Sequence, residues 1–344
     1  MFRRAQLLLV SIAIGMGVLA VLTAVTFGHP LVDPDGFLGP SWLRFPLLLS
    51  LAFGIDLVPR TLWVSRLRPT RMRDVWQTRV REHWTRPRMA LVVTGLLGFY
   101  VTYVSYRNLK SQVPFVEGRH HTFDFELNTI DKALFLGHFP GPFLHGLLGT
   151  GIAAEVLSTV YLWFLPLVPL CLTGWLIWAK DLAHGYWFAT SQCIAWTLGT
   201  ISYYALPTIG PGLDYPFRYQ GLDHTGAIRL MASIQWTRQT FLNDAAGSLQ
   251  SVAGFASLHC AITLLVTLMV QYTLRNRWIK IFFWVNFCLT VVATLYYGWH
   301  YVADDVAGVA IALVAFYVGG LASNQTFVRH RTMTPELRGE VTPV

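Results

Sequence analysis

The amino-acid sequence predicts an all-α, polytopic integral membrane protein with about eight transmembrane helices, six of them forming a core. Three observations predict it. Hydrophobic residues make up 54% of the 344 and charged residues only 13%, whereas soluble domains carry roughly 25% charged residues. The apolar residues come in blocks rather than amphipathic stripes, and several blocks reach the ~20 residues that a helix needs to cross a ~30 Å hydrocarbon core. The net charge of +8 is concentrated in one Arg-rich stretch, Arg60 to Arg88, between two such blocks. Arg-rich loops beside spans mark the cytoplasmic side. The charge is therefore read as a topology signal, with the membrane and not nucleic acid as the partner.

The blocks follow in order. Leu7 to Phe27 comes after Arg3 and Arg4. It is long for a signal peptide and no A-x-A site follows it, so it reads as an uncleaved helix. The second block, about Trp42 to Val64, contains Arg44, Pro46, Asp56 and Pro59 and is expected to be broken or tilted. Met89 to Tyr106 is the third. The remaining five run from about Glu155 to Trp178, Tyr186 to Leu206, Ser257 to Leu274, Trp278 to Tyr297 and Tyr301 to Leu321. Basic residues at Arg3 and Arg4, in the Arg-rich loop, at Lys180, at Arg275, Arg277 and Lys280, and at Arg329, Arg331 and Arg338 agree on one topology. Both termini are cytoplasmic in it. Residues 1–88 then form two N-terminal helices with the Arg-rich loop, 89–325 the main membrane domain, and 326–344 a cytoplasmic tail. Cys171, Cys193, Cys260 and Cys288 show neither metal-ligand nor disulfide spacing and read as packing residues.

Two non-cytoplasmic segments are long. Arg107 to Ala154 mixes polar and apolar residues and is expected to form short amphipathic helices in the interface. Pro207 to Ala256 opens with the Pro/Gly-rich PTIGPGLDYP and reads as a loop. It offers Asp214, Arg218, Asp223, His224, Arg229 and Arg238 as candidate headgroup contacts.

The chemistry-bearing residues converge on the same face. His259 stands at the outer start of the sixth block and His300 just past the outer end of the seventh, 41 residues later. Two crossings of roughly 20 residues joined by a tight turn account for that separation. Arg107 and Lys110 follow the third block and belong to the same face. Asp304 is four residues after His300, the spacing of neighbours on one helix face. Its carboxylate is placed to accept one imidazole N–H and leave the other nitrogen available. Asp305 is one residue further round and less well aimed. The ordinary alternative is an interfacial His and a local pair that only caps a helix. A metal site would draw on His120, His121, Asp124 and Glu126, but no H-E-x-x-H or paired-Cys spacing is present. No metal and no cofactor are expected, and no G-x-S-x-G elbow or P-loop occurs.

The stretch from Pro207 to Leu321 resembles the type-2 phosphatidic acid phosphatase superfamily, in particular the branch that includes inositol phosphorylceramide synthase. Ala256-Ser257-Leu258-His259 corresponds to the family's Pro-Ser-x-His, without the proline. His300-Tyr301-Val302-Ala303-Asp304, followed by Val306, Ala307 and Gly308, corresponds to His-x-x-x-Asp and its small-residue helix. PTIGPGLDYP and IDKALFLGHFPG also look like family segments, and the likeness begins near Tyr103. Two features depart. Thr294 stands where the phosphatases carry an Arg six residues before the nucleophile, and only Arg107-Asn-Leu-Lys110, with Pro114 beyond, stands near the first motif.

The resemblance implies that His300 attacks phosphorus, held by Asp304, while His259 serves as acid and base. It implies that Arg107, Lys110 and the Ser257 hydroxyl bind phosphoryl oxygens. The expected function is transfer of a phospho-headgroup, with phosphoinositol as a candidate, from a phospholipid or polyprenyl phosphate donor to a lipid alcohol at the non-cytoplasmic face. The alternatives are a phosphatase using water as acceptor, and a non-catalytic lipid transporter or scaffold.

Overall fold

A computed structural model describes residues 3–36, 40–116, 122–222, 224–243, 249 and 254–325, with the backbone alone at 41, 42, 44 and 45. The His120 and His121 candidates, Asp223 and the basic tail lie outside these residues. Among them all regular structure is helical: α1 (Arg3–Phe27), α2 (Ser41–Ser65), α3 (Pro69–His83), α4 (Arg86–Gln112), α5 (Asp124–Leu134), α6 (Pro140–Leu148), α7 (Ile152–Trp178), α8 (Leu182–Ala205), α9 (Pro211–Asp214), α10 (Gly226–Asn243), α11 (Leu258–Thr273), α12 (Arg277–Tyr296) and α13 (Val302–Ala322).

Every predicted apolar block is a helix. Six of them, α1, α2, α4, α7, α12 and α13, are long and apolar enough to cross a membrane. The other two differ for reasons of position. α8 is packed by α13, α4, α1, α11 and α7, so it meets protein rather than lipid. It can therefore carry the fully buried Thr190, Ser191 and Gln192. Two of these polar groups are paired inside the bundle: Thr190 Oγ1 donates to Ala5 O at 3.3 Å, and Trp196 Nε1 donates to Gln192 Oε1 at 3.2 Å. α11 has 16 residues, a length of about 24 Å, and packs against α13, α12 and α8.

Four local outcomes depart from or extend the sequence reading. α2 runs unbroken through Pro46 and Pro59. Prolines are tolerated in membrane helices when neighbours satisfy the freed backbone groups. α4 continues past Tyr106, so Arg107 and Lys110 sit on its last turns rather than beyond it. The helix yields only at a 3₁₀ turn over Val113–Phe115, which holds Pro114. The stretch read as a loop after PTIGPG contains α10, which packs on α7 and buries Ala227, Met231 and Phe241. Its helix-forming residues were obscured by the turn residues that precede it.

The fourth outcome is α5, a short helix that is apolar outside and polar inside. It buries Asp124 and Asp131 while Phe125, Ile130 and Leu134 are 70%, 47% and 60% exposed. An interfacial helix presents such a face to the membrane.

The Arg-rich end is tied down by a carboxylate and by two basic side chains. Asp56 of α2 accepts two hydrogen bonds from Arg79 (3.0 and 2.7 Å), one from Trp84 Nε1 (2.9 Å) and one from Trp178 Nε1 (3.2 Å). His83 donates to Ile177 O at 2.7 Å, and Arg88 donates to Leu176 O and Ala179 O at 3.1 and 2.6 Å. α3 and the start of α4 thus lie at the C-terminal end of α7. The starts of α7, α11 and α13 lie at the other.

Candidate active site

Each histidine is held by its own helix start. Ser257 caps α11, its Oγ accepting from Cys260 N at 3.3 Å, and His259 follows two residues later in the first turn. His300 precedes α13. Asp304 Oδ2 accepts from Tyr301 N at 3.0 Å and lies 3.2 Å from His300 Nδ1. The capping box at the start of α13 therefore aims the carboxylate back at the ring from one side and leaves Nε2 on the other. The two helix starts are joined directly, since Ser257 N donates to Asp304 O at 2.9 Å. They approach this closely because residue 308 is glycine. A Cβ there would lie 2.4 Å from Ser257 O.

The imidazoles face one cavity of about 290 Å³, with ring centroids 6.3 Å apart. Arg107 and Lys110 of α4 line it too. So do Leu162 and Leu165 of α7 and Leu230 and Ile234 of α10, which give it an aliphatic side. Lys110 Nζ donates to Tyr106 OH at 3.2 Å and sits over the Tyr203 ring, 4.6 Å from its centroid. The His259 ring stacks on Tyr161 (4.3 Å, 15°) and leans on Phe164 (4.2 Å), while Tyr161 stacks on Trp299 (5.0 Å). Aromatic packing fixes the plane of this imidazole. Among the described residues no group hydrogen-bonds its nitrogens.

Of the sequence-derived candidates, His259, His300, Arg107 and Lys110 share this cavity and Asp304 stands behind His300. Ser257 does not line it: the hydroxyl is buried and spent on the helix cap. Asp305 is used structurally, accepting from Cys260 Sγ at 2.9 Å and from Thr294 Oγ1 at 2.8 Å. Thr294, at the site of the phosphatase Arg, is thus turned toward α13. None of Asp214, Arg218, His224, Arg229 and Arg238 lines the cavity. Arg218 donates to Asn128 Oδ1 at 2.7 Å and its guanidinium lies 3.5 Å from the Phe139 ring centroid.

Sequence reasoning missed Tyr161, Phe164, Trp299, Tyr106 and Tyr203, which carry no motif. It also missed what α5 does. Asp124 takes Ile209 N (3.0 Å), Gly210 N (2.9 Å) and Tyr301 OH (3.0 Å), clamping the PTIGPG turn beside the site. A carboxylate so engaged is not a free metal ligand. Asp131 accepts from Val302 N at 3.1 Å, the first amide of α13. Burial, with Asp304 and Asp305 nearby, pushes its carboxyl up to about 7. Among the described residues no group of three potential metal ligands occurs.

The sequence model of the PAP2 superfamily matches residues 126–318, more than half of the chain. Comparison with curated proteins and with solved structures gave no match. The matched segment contains His259, His300 and Asp304. Arg107 and Lys110 precede it.

Proposed function

This chain belongs to the PAP2 superfamily, and on that premise we propose that it moves a phospho-headgroup from a lipid donor to a lipid alcohol through a phosphohistidine on His300. Membership makes it a phosphatase-like membrane enzyme of lipid-type phosphates. The observation that carries the finer reading is the cavity: two imidazoles, an ammonium and a guanidinium around a space of about 290 Å³ with an aliphatic side. That volume is near the lower bound of small-molecule sites, enough for a headgroup while the chains run along Leu162, Leu165, Leu230 and Ile234.

Phosphoryl transfer demands mainly positioning and charge stabilisation. His300 Nε2 attacks phosphorus. As the N–P bond forms, the bond to the leaving oxygen breaks, and His259 gives that oxygen its proton. Asp304 stabilises the cationic phosphorylated ring through Nδ1–H. His259, now neutral, takes the proton of the acceptor hydroxyl, whose oxygen attacks phosphorus and breaks the N–P bond. Lys110 and Arg107 offset the charge of the phosphoryl oxygens throughout. The reaction takes place on the non-cytoplasmic face, and phosphoinositol is the headgroup that the likeness to the inositol phosphorylceramide synthase branch suggests. Thr294 in place of the phosphatase Arg, with its hydroxyl held by Asp305, supports a clamp different from that of the phosphatases.

The test is incubation of the purified enzyme in lipid vesicles with headgroup-labelled phosphatidylinositol and a lipid alcohol. Label in a new lipid, with label-free His300→Ala controls, is the expected result. Release of the label only as water-soluble inositol phosphate would mean that water is the acceptor and would make it a hydrolase. Lipid movement unaffected by His300→Ala would make it a non-catalytic lipid-handling protein.

A further inference from the structure

A second and larger cavity lies at the other end of the bundle. It is a groove of about 840 Å³ between α7, α8, α11 and α12. Trp163, Leu167 and Trp175 of α7, Val270 of α11 and Phe283 of α12 form its apolar walls. Trp163 to Trp178 covers fifteen helical steps, about 22 Å, more than half of a ~30 Å hydrocarbon core. The groove is therefore long enough for an acyl chain. Its floor is open at Gly174, where a Cβ would find no atom within 4 Å.

The polar end is basic. Lys180 and Arg275 border it and are exposed, and among the described residues neither has a hydrogen-bond or ion-pair partner. Asp181 is the one carboxylate there, and its Oδ1 accepts from Ala183 N at 2.8 Å, capping α8. His184 completes the rim. Trp178 stands at the same level with Nε1 bound to Asp56, the placement of an interfacial aromatic. This is the Arg-rich end of the molecule, where Arg88 holds the last carbonyls of α7 and Ala179. Two uncommitted cations over a chain-length apolar groove match an anionic phosphate headgroup with its acyl chain below. Basic pockets between membrane helices are sites of this kind. A zwitterionic lipid brings its own cation to the same place and loses that advantage.

We infer that the groove between α7, α8, α11 and α12 holds one anionic phospholipid, its phosphate between Lys180 and Arg275 and one chain along Gly174 and Trp175. This site is distinct from the histidine cavity, since Arg275 and His259 stand at opposite ends of α11. It does not rest on the proposed reaction.

The experiment is native mass spectrometry of the full-length protein released from detergent, with phosphatidylglycerol or phosphatidylcholine of identical chains added. Retention of phosphatidylglycerol over phosphatidylcholine by about 25-fold is expected, roughly fivefold from each basic residue. The Lys180→Ala/Arg275→Ala variant breaks no described hydrogen bond and should abolish the preference with an unchanged melting temperature. Gly174→Leu, which fills the groove, should lower retention of both lipids, and Lys110→Ala in the histidine cavity should leave the preference intact. Equal retention of the two lipids by the native protein would overturn the inference. So would a preference that survives in Lys180→Ala/Arg275→Ala or is lost in Lys110→Ala, since the anionic lipid would then sit elsewhere.

Discussion

At the scale of residues, the two histidines are held by different forces. His300 is positioned by a carboxylate, with Asp304 3.2 Å from Nδ1; His259 is positioned by rings, between Tyr161 and Phe164. The difference predicts different variants. His300→Ala should abolish both steps and leave no trappable phosphoenzyme. His259→Ala should slow the natural donor by about 10²–10⁴-fold, the usual contribution of general acid catalysis. A donor with an activated aryl leaving group needs no proton, and should restore the first step in His259→Ala but not in His300→Ala. Single-turnover kinetics with both donors is the measurement, and the reverse pattern would exchange the two roles. Asp131 predicts a pH effect. Its carboxyl is raised to about 7 in the folded state from 3.8, so ionisation is disfavoured by folding. Its contribution to stability is fully present below pH 3.8 and is lost as pH rises to about 7. Asp131→Asn keeps an acceptor for Val302 N without a titrating group. Its melting temperature relative to the native protein should therefore be higher at pH 8 than at pH 4, and a pH-independent difference would refute this account.

At the scale of elements, small residues and single buried carboxylates decide how helices meet. Gly308 lets α13 lie against the start of α11. Gly308→Ala must push Ser257 O away from 2.4 Å, and because that atom is backbone the two helices have to separate. Overpacking of this kind costs about 1–3 kcal/mol. It should also lower kcat by changing the spacing of the histidines, which thermal unfolding and steady-state kinetics measure together. An unchanged kcat would mean that the helix starts absorb the methyl group locally. Asp56 ties α3 to α2 through Arg79. Asp56→Ala strands the Arg79 guanidinium, whose side chain is only 18% exposed, at a cost of about 3 kcal/mol, the lower part of the range for a broken buried pair. Protease cleavage between Arg66 and His83 should rise in this variant. Unchanged protection would show that the other contacts of α3 hold it without Asp56.

At the scale of the whole molecule, the α3 end and the histidine end are opposite ends of one bundle, and the positive-inside rule assigns the α3 end to the cytoplasm. Lys110 and Trp299 lie in the cavity and are poor chemical reporters of sidedness. Ile152, 86% exposed at the start of α7, and Arg71, exposed on α3, are better. In a Cys288→Ser background, Ile152→Cys should react with an impermeant thiol reagent in intact cells and Arg71→Cys only after permeabilisation. The opposite pattern would invert the topology and move the proposed reaction to the cytoplasmic face.

The long helices were legible in the chain because bilayer thickness imposes a length on them, and the His300–Asp304 contact was legible because the two residues are close in sequence; the structure forms it through the cap of α13, which His300 precedes, rather than on a helix face. α8 already strained the first rule: its polar residues are tolerated by the neighbours that surround it, which hydropathy does not record. What was not legible is which faces meet. Apolar side chains are nearly as comfortable against lipid as against another helix, so an apolar block says that it is in the membrane and not what it touches. The stacking of Tyr161 on His259, the ring cradle of Lys110 and the cover formed by α10 all arise from such contacts. Asp131 reaching Val302 across 171 residues of chain belongs with them. A buried carboxylate must find a donor somewhere, but only the packed bundle selects which one.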